Sequence, residues 1–243
     1  MNLPEALAAD GLVAVVGAGG KKSTLYALAN GLDRAVLTAT VRIPIFDAEV
    51  ATVTVTDDPV SAIDDADPAA FPLGLVPERD GNRYLGYDPE TVALLDQRSD
   101  VDAVLVKADG ARGREFKAPG ADEPRIPRTV DTVIPVVSAH IEGKPLTDEF
   151  VHRPERVADL TGLAEGETVS AADVATVLTS PDGGLKGVPD GATVVPVINK
   201  VDDAADEAAA NRIGNRIVGH DRVDAVALTR LATPEDPVVT VLY

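Results

Sequence analysis

The segment from Val13 to Thr24 constrains the fold more than any other part of the chain. A β-branched apolar run ends in Gly17-Ala18-Gly19-Gly20-Lys21-Lys22-Ser23-Thr24, and a helix-like segment follows at once. This order predicts a buried strand, a glycine loop and the amino end of a helix, a common arrangement for binding phosphate groups. Glycines allow backbone N–H groups to face an anion, and a lysine adds positive charge.

The register of the two lysines in this loop has two interpretations. The standard pattern G-x-x-x-x-G-K-[ST] needs glycine at Val15 and a hydroxyl at Lys22, and the chain has neither. In one interpretation Lys21 contacts phosphate, and Ser23 or Thr24 reaches a Mg²⁺ ion. In the other, Lys22 and Ser23 form the working pair. A tight turn with two solvated lysines is the structural alternative, but two adjacent lysines beside three glycines in an acidic chain favour phosphate binding.

The composition is typical of an α/β protein built on buried parallel strands. The chain has 243 residues, of which 45% are hydrophobic and only 3% aromatic, so the core must consist mainly of aliphatic side chains. Strands alternate with helices along the sequence. We therefore predict a P-loop NTPase-like α/β fold, a doubly wound, mainly parallel sheet with helices on both faces. We assign residues 1–243 to a single domain, with a candidate insertion at about residues 57–97.

The charge and cysteine content exclude several classes of partner and site. The net charge is −18, which repels nucleic acid and anionic membranes. Dispersed acidic residues with few lysines are typical of a halophilic cytosolic protein. Cysteine is absent, which excludes disulfides and thiolate metal sites. Because neither a bilayer-spanning apolar run nor a signal-peptide pattern is visible, we expect a cytoplasmic protein without a membrane partner.

Asp109 follows an apolar strand and is the expected partner of the glycine loop. In phosphate-loop enzymes an aspartate at this position holds Mg²⁺ directly or through water, although Asp-Gly is also common turn chemistry. Three cations follow in the next loop, Arg112, Arg114 and Lys117. Two interpretations of this loop remain open: it closes over an anion, or it is a solvated loop with weak internal ion pairs.

The segment Asn199-Lys200-Val201-Asp202 fits the N-K-x-D box of GTP-binding proteins. In that box the aspartate accepts hydrogen bonds from guanine, and the lysine stem packs against the base. The segment follows a predicted strand late in the chain, which supports the assignment. A match of four residues also arises by chance, so both ATP and GTP remain candidate ligands.

The three histidines, His140, His152 and His220, have no metal-ligand spacing in the sequence. His152 stands beside Arg153 and before Pro154, and it is the candidate for an anion or acid–base contact. A capping or surface role is the alternative interpretation of this residue.

Seven segments of the chain resemble the YqeC family. They are Gly17-Ala18-Gly19-Gly20-Lys21 and residues 107–119, 123–127, 143–146, 151–155, 184–187 and 199–202. The most specific part is the block that begins Ala-Asp-Gly-Ala-Arg-Gly and ends Glu-Pro-x-Ile-Pro. Together these segments extend over nearly the whole chain.

The resemblance implies a P-loop-like nucleotide site and a role as an accessory protein for selenium-dependent molybdenum hydroxylases. The implied process is biosynthesis or insertion of a labile selenium cofactor. The implied partners are a selenium or molybdopterin species and a molybdenum hydroxylase. Two positions depart from the family pattern: Lys22 replaces a usual Thr or Ser, and Lys107 replaces a usual acid. If these positions handle Mg²⁺, metal binding here is shifted to Ser23 and Asp109 alone, or weakened.

We therefore predict a protein that binds ATP or GTP with Mg²⁺ and catalyses hydrolysis or phosphoryl or nucleotidyl transfer. The predicted phosphate contacts are Gly17, Ala18, Gly19, Gly20, Lys21, Lys22, Ser23 and Thr24; the metal ligands are Ser23 and Asp109. Lys21, Lys22, Asp109, Arg112 and Lys117 are the predicted catalytic residues; Asn199, Lys200 and Asp202 are predicted to contact the base. The alternatives are a GTPase switch or insertion chaperone acting on a partner enzyme, and an anion- or cofactor-binding protein without turnover.

Overall fold

The structure is a computed structural model, and it describes residues 1–96, 98, 100–233 and 235–243. The α-helices within these residues are α1 (Leu3–Ala6), α2 (Lys21–Asn30), α3 (Pro59–Asp64), α4 (Pro89–Ala93), α5 (Pro154–Thr161), α6 (Ala171–Thr179) and α7 (Ala204–Ile217), and two short 3-10 helices are formed by Pro68–Ala70 and Ala139–Ile141. The strands there are β1 (Gly11–Gly17), β2 (Ala35–Ala39), β3 (Ile43–Pro44), β4 (Thr52–Val55), β5 (Leu73–Val76), β6 (Arg79–Asp80), β7 (Arg83–Tyr84), β8 (Ala103–Lys107), β9 (Phe116–Lys117), β10 (Thr132–Ser138), β11 (Val151–His152), β12 (Thr193–Val194), β13 (Val197–Asn199), β14 (Val226–Thr229) and β15 (Val238–Leu242).

A large central sheet organises the described part of the chain. Its strand order is β15-β14-β13-β10-β1-β8-β2-β5-β4, and β12 also pairs with β10. Only the β14–β15 pair among these is antiparallel. The predicted fold class, an α/β fold with a mainly parallel sheet, is confirmed. Because β1, β8, β10 and β13 are parallel, their carboxyl ends meet at one edge of the sheet.

Helices cover both faces of this sheet. On one face Val13 of β1 belongs to a buried apolar cluster with Leu25 of α2. On the other face Ala14 of β1 belongs to a cluster with Val92 of α4. Successive side chains of a strand point to opposite faces, so the continuous apolar run of β1 contributes to both clusters. Buried residues of α5, α6 and α7 form a third cluster with residues of β10 and β13.

Two predicted strand regions differ in detail from the structure. The dipeptide Gly81-Asn82 predicts a hairpin between Leu75-Val76 and Tyr84-Leu85. The hairpin exists, but its arms are β6 and β7. Leu75–Val76 instead lies in β5, which is buried and pairs with β2 and β4. The apolar run from Ala192 to Ile198 predicts one strand, but the structure divides it into β12 and β13. Pro196 lies between them, and a proline has no N–H group for the strand ladder.

The region between residues 57 and 97 contributes to the central sheet through β5. The segment Asp88-Pro89-Glu90 predicts the start of a helix that runs to about Gln97. The helix α4 begins as expected after Asp88 and ends at Ala93, and Gln97 lies outside the described residues. The strands β9 and β11 were not predicted, and they form a small parallel sheet of their own. The assignment of the whole chain to one domain stays a prediction. In the described parts of the chain, no helix combines the length and apolar character needed to cross a membrane.

Candidate functional site

The glycine loop between β1 and α2 has a backbone shape that favours glycine. Gly17, Gly19 and Gly20 have φ angles of 92°, 79° and 147°. A Cβ atom on Gly19 would overlap the backbone of Ser138, and one on Gly20 would overlap the side chain of Asn199. The loop therefore depends on glycine both for its conformation and for its close contacts with the ends of β10 and β13.

The backbone N–H groups of this loop divide into two sets. The N–H groups of residues 17, 18 and 19 donate hydrogen bonds of 2.8–2.9 Å to Asp109, Val136 and Arg114, respectively. These three groups are therefore not available to a ligand. Those of residues 20–23 have no hydrogen-bond acceptor among the described residues, because the first intrahelical bond of α2 begins with the next residue. These free groups form the positive amino end of α2. An anion at this loop would be bound by residues 20–23.

The structure places the two lysines of the loop differently. Lys21 is 5% exposed; its Nζ atom donates to the carbonyl oxygen of Gly17 and lies 2.9 Å from Oδ1 of Asp109. Lys22 is exposed. Lys21 therefore lies on the inner side of the loop and Lys22 on its outer side. Which of the two lysines contacts phosphate stays a prediction.

The two hydroxyl residues of α2 are also placed differently from each other. Ser23 is exposed, whereas Thr24 is buried and its Oγ1 donates to the carbonyl oxygen of Gly20 at 3.2 Å. The Thr24 hydroxyl therefore stabilises the first turn of the helix. The predicted roles of these two residues in metal binding stay predictions.

Asp109 is the buried anion of the site. Its Oδ2 atom accepts the N–H of Gly17 at 2.9 Å and lies 2.8 Å from Nζ of Lys117. Its Oδ1 atom lies 2.9 Å from Nζ of Lys21 as an ion pair, but it has no well-directed hydrogen-bond donor among the described residues. Burial alone would raise the pKa of Asp109; Lys21 and Lys117 outweigh that effect and lower it. For Lys21 burial dominates, and its pKa is lowered even beside Asp109.

Ion pairs extend from Asp109 toward the amino end of α5. Lys117 also lies 2.8 Å from Oε2 of Glu123, and the same oxygen accepts a hydrogen bond from Nη1 of Arg153 at 2.7 Å. Lys21, Asp109, Lys117, Glu123 and Arg153 thus alternate in charge; we call these five residues the charge chain. Burial opposes ionisation of Glu123, but bonds to Lys117 and Arg153 lower its pKa to about 2. The charge chain therefore links the glycine loop to α5.

Lys107 lies next to the charge chain. Its Nζ atom donates to the carbonyl oxygens of Asp109 at 2.7 Å and Arg42 at 3.1 Å. Burial, and secondly the positive charge of Lys21, lower the pKa of Lys107 to about 8. The lysine that replaces the acid expected at this position is therefore a third ammonium group near Asp109.

The donor atoms around Asp109 do not fit a Mg²⁺ ion held directly by its carboxylate. Two ammonium groups lie within 2.9 Å of its oxygens, and Lys107 adds a third positive charge nearby. A divalent cation would have to displace these groups, and Ser23 is exposed. The surroundings of Asp109 instead suit an anion. The metal site at Ser23 and Asp109 stays a prediction, and this geometry does not favour it.

The N-K-x-D box contacts the glycine loop through its asparagine. Asn199 donates from Nδ2 to the carbonyl oxygen of Gly19 at 3.1 Å, and its Oδ1 accepts from Thr229 of β14 at 3.1 Å. Lys200 has a positive φ of 64°, and its Nζ pairs with Glu115 at 2.7 Å. Asn199 thus supports the loop backbone, whereas the predicted base contacts of Lys200 and Asp202 stay predictions.

Asp202 lies at a groove of about 1130 Å³, which is also lined by His140 and Asp206. Ligand atoms of these three residues lie within 4.8 Å of one another, and Nε2 of His140 is 3.4 Å from Oδ1 of Asp206. This group could not be predicted from the sequence because its histidine and its aspartates belong to distant segments. Asp206 also accepts the backbone N–H of Asp202 at 3.2 Å, as expected for a residue in the first turn of α7.

The basic loop after β8 contains both exposed and buried cations. Arg112 is exposed and has a positive φ of 49°, whereas Lys117 is buried in the charge chain. Arg112 and Lys117 could be predicted as functional residues from the sequence, whereas the contact between Glu123 and Arg153 could not. The sequence signals for these two residues were weak: Arg153 precedes Pro154, and Glu123 lies six residues after Lys117.

Comparison with known proteins gives two matches. The family described as "YqeC protein" matches residues 13–155. A protein of Escherichia coli (strain K12), described as "Uncharacterized protein YqeC", is 33% identical over 222 residues, which cover 89% of this chain and 86% of that protein. The region matched by the family includes the glycine loop and every residue of the charge chain.

Proposed function

The chain belongs to the YqeC family, and we propose that it binds the triphosphate of a nucleotide at the glycine loop and Lys21. One observation carries this proposal: the free N–H groups of residues 20–23 lie at the amino end of α2, directly beside the lysine that reaches Asp109. Free N–H groups at a helix amino end and a nearby ammonium group are the features that bind phosphate elsewhere. The biological role that we propose is maturation of a selenium- or molybdenum-containing hydroxylase cofactor.

The proposed chemistry is transfer of a phosphoryl group, by positioning and charge stabilisation. An acceptor oxygen attacks the terminal phosphorus, and the bond to the bridging oxygen breaks. The electron pair stays on the leaving diphosphate, and the acceptor proton passes to solvent. Lys21 and the N–H groups of residues 20–23 would bind the phosphate oxygens. Arg112, on its exposed loop, would approach the transferred group, while Lys117 keeps Asp109 in place.

In this proposal the protein itself holds no metal ion at Asp109, because the ammonium groups around this residue do not suit one. A Mg²⁺ ion in this proposal arrives with the triphosphate, as part of the substrate. The base is proposed to lie near the N-K-x-D box, where Asp202 would accept hydrogen bonds from guanine. Because Asn199 supports the glycine loop, only Asp202 and Lys200 remain to discriminate between bases.

The test is calorimetric binding of ATP and GTP with Mg²⁺ in concentrated potassium chloride. Replacing Lys21 by Gln should weaken triphosphate binding at least about tenfold, which is about 1.4 kcal/mol. The matched control is Lys22→Gln, which removes the same charge from the exposed neighbour and should change affinity less than about twofold. Binding of neither nucleotide by the wild type would refute the proposal, as would equal effects of the two variants.

Two further measurements separate the alternatives. Loss of GTP binding but not of ATP binding in Asp202→Ala would assign guanine recognition to the N-K-x-D box. Product analysis then distinguishes the reaction classes. A phosphorylated or nucleotidylated small molecule indicates a transferase. Diphosphate and phosphate formed only with a partner protein indicate a GTPase switch or insertion chaperone, and no turnover indicates a binding protein.

A further inference from the structure

The carboxyl ends of β10 and β13 bring one histidine and two aspartates together on a groove of about 1130 Å³. The two strands are parallel neighbours, and Ser138 pairs with Asn199 where they end. His140 lies in the short 3-10 helix after β10, Asp202 lies in the loop after β13, and Asp206 lies in the first turn of α7. Because the three residues stand at or next to the ends of regular elements, the fold itself sets their relative positions.

The ligand atoms of these three residues are close enough together to bind one cation. All of them lie within 4.8 Å of one another. Nε2 of His140 is 3.4 Å from Oδ1 of Asp206. Two ligands of a tetrahedral zinc ion, with bonds of about 2.1 Å, are also separated by about 3.4 Å. The carboxylate of Asp202 is exposed and free to turn, so it can complete the set with a small movement.

Helix capping explains only part of this group. Asp203 is the N-cap of α7 and accepts two backbone N–H groups of the first turn, and Oδ2 of Asp206 accepts the N–H of Asp202. Among the described residues, the carboxylate of Asp202 has no hydrogen-bond donor, and the ring of His140 has only the 3.4 Å contact with Asp206. One imidazole nitrogen and oxygens of both carboxylates therefore keep lone pairs that capping does not use.

The charge at this place favours a cation. Glu115 and Glu142 line the same groove, but each has a basic partner at 2.7 Å. Asp202 and Asp206 have no lysine or arginine partner in the described part of the chain. Two carboxylates without a basic partner match the charge of one divalent cation. The surroundings are thus the reverse of those at Asp109, which lies between two ammonium groups.

We propose that His140, Asp202 and Asp206 bind a divalent transition-metal ion of the zinc type. Zinc accepts imidazole and carboxylate ligands together, whereas Mg²⁺ prefers oxygen ligands throughout. Three protein ligands leave at least one coordination position for water or for a donor atom of a molecule in the groove. This inference goes beyond the proposed nucleotide binding and does not rest on it, although the two sites share Asp202.

The experiment is calorimetric titration of the whole chain with Zn²⁺, after treatment with a chelator and in the absence of nucleotide. We expect one saturable site per chain, and binding of Mg²⁺ at least about tenfold weaker than that of Zn²⁺. Loss of a group that only hydrogen-bonds a metal ligand already weakens binding about 10–100-fold, so His140→Gln and Asp206→Asn should each weaken Zn²⁺ binding at least about tenfold. A wild type without a saturable Zn²⁺ site, or with equal affinity for Mg²⁺, would overturn the proposal.

Matched variants distinguish this site from a general attraction of cations to an acidic groove. Asp203→Asn removes a neighbouring charge from the same groove and keeps a good N-cap residue, so it should change Zn²⁺ affinity less than about twofold. His220→Gln removes an exposed histidine elsewhere and should also leave the affinity unchanged. Equal weakening by Asp203→Asn and Asp206→Asn would overturn the assignment.

NMR of the histidine Cε1–H signals provides a second readout, on the folded wild type. The chain has three histidines, and His140→Gln identifies the signal of His140. Zn²⁺ should shift or broaden this signal up to one equivalent and leave the signal of His220 unchanged. A signal of His140 that does not respond to Zn²⁺, or an equal response of His220, would overturn the proposal.

A further variant separates this inference from the proposed function. Lys21→Gln should weaken triphosphate binding but keep Zn²⁺ binding, because Lys21 pairs with Asp109 and not with this group. A wild type that binds Zn²⁺ but no nucleotide would refute the nucleotide site and keep the metal site. The opposite result would refute the metal site alone.

Discussion

Replacing Asp109 by Asn should destabilise the protein more than most single substitutions. Asn has nearly the shape of Asp and can still accept the N–H of Gly17. It removes the negative charge that lies 2.9 Å from Nζ of Lys21 and 2.8 Å from Nζ of Lys117. Both lysines are buried, so neither can recover full hydration. The variant therefore tests the charge balance at the centre of the site.

The two lysines would lose different fractions of their polar partners in this variant. Lys117 keeps Glu123 and the carbonyl oxygen of Gly110, whereas Lys21 keeps only the carbonyl oxygen of Gly17. Removing one partner of a buried ion pair typically costs about 3–5 kcal/mol. Because one lysine stays paired, we expect the lower end, about 3 kcal/mol of the free energy of unfolding. For a chain of this length that corresponds to a fall in Tm of roughly 6–12 °C.

The assay is thermal unfolding followed by circular dichroism in concentrated potassium chloride. The matched control is Asp190→Asn, which removes a fully exposed aspartate paired with Arg222 and should change Tm by about 1 °C or less. A fall in Tm for Asp109→Asn no larger than that of the control would refute the reasoning. It would mean that water or mobile ions already compensate the two lysines.

The pH dependence gives a second check on the same variant. The pKa of Asp109 is lowered in the folded protein, so its contribution to stability is present above its unfolded pKa, about 3.9, and is lost as pH falls through the lower folded value. The Tm difference between wild type and Asp109→Asn should therefore be largest near neutral pH. It should shrink on acidification below about pH 4.

Other predictions follow from the same site. Gly19→Ala should cost roughly 1–3 kcal/mol more than Gly113→Ala in denaturant unfolding, because both have positive φ but only Gly19 lies against other backbone. The pKa of Glu123 is about 2, so wild type and Glu123→Gln should differ in Tm above about pH 4.3 and converge toward pH 2. Asn199→Ala should weaken ATP and GTP binding by the same factor in calorimetry, whereas Asp202→Ala should affect GTP alone; unequal effects of Asn199→Ala would contradict its role as a support of the loop.

The order of strand, glycine loop and helix could be predicted because its signals are local. An apolar β-branched run, three glycines and a helix-forming segment follow one another directly in the sequence. The choice between Lys21 and Lys22 could not be predicted in the same way. Adjacent helical residues point about 100° apart, so only one faces Asp109, and the conformation of the preceding loop decides which one.

The charge chain depends on tertiary contacts that no local pattern encodes. Glu123 and Arg153 are separated by β10 in the sequence, and their contact requires the loop after β9 to meet the amino end of α5. The role of Lys107 could not be predicted from local sequence either. In the sequence it is a departure from an expected acid, but in the structure it adds positive charge beside Asp109. The sequence therefore predicts that functional polar residues lie in these segments, but it does not predict which of them form ion pairs with one another.

The cluster of cations around Asp109 lies inside a strongly acidic protein, and this has a consequence for the kinetics of ligand binding. A polyanion that approaches the molecule meets a net charge of −18 before it reaches the buried cations. Salt shortens the screening distance from about 10 Å at 0.1 M to about 3 Å at 1 M, and it weakens long-range repulsion more than contacts between buried groups. Association of an anionic ligand should therefore become faster as salt rises, the reverse of ordinary electrostatic steering.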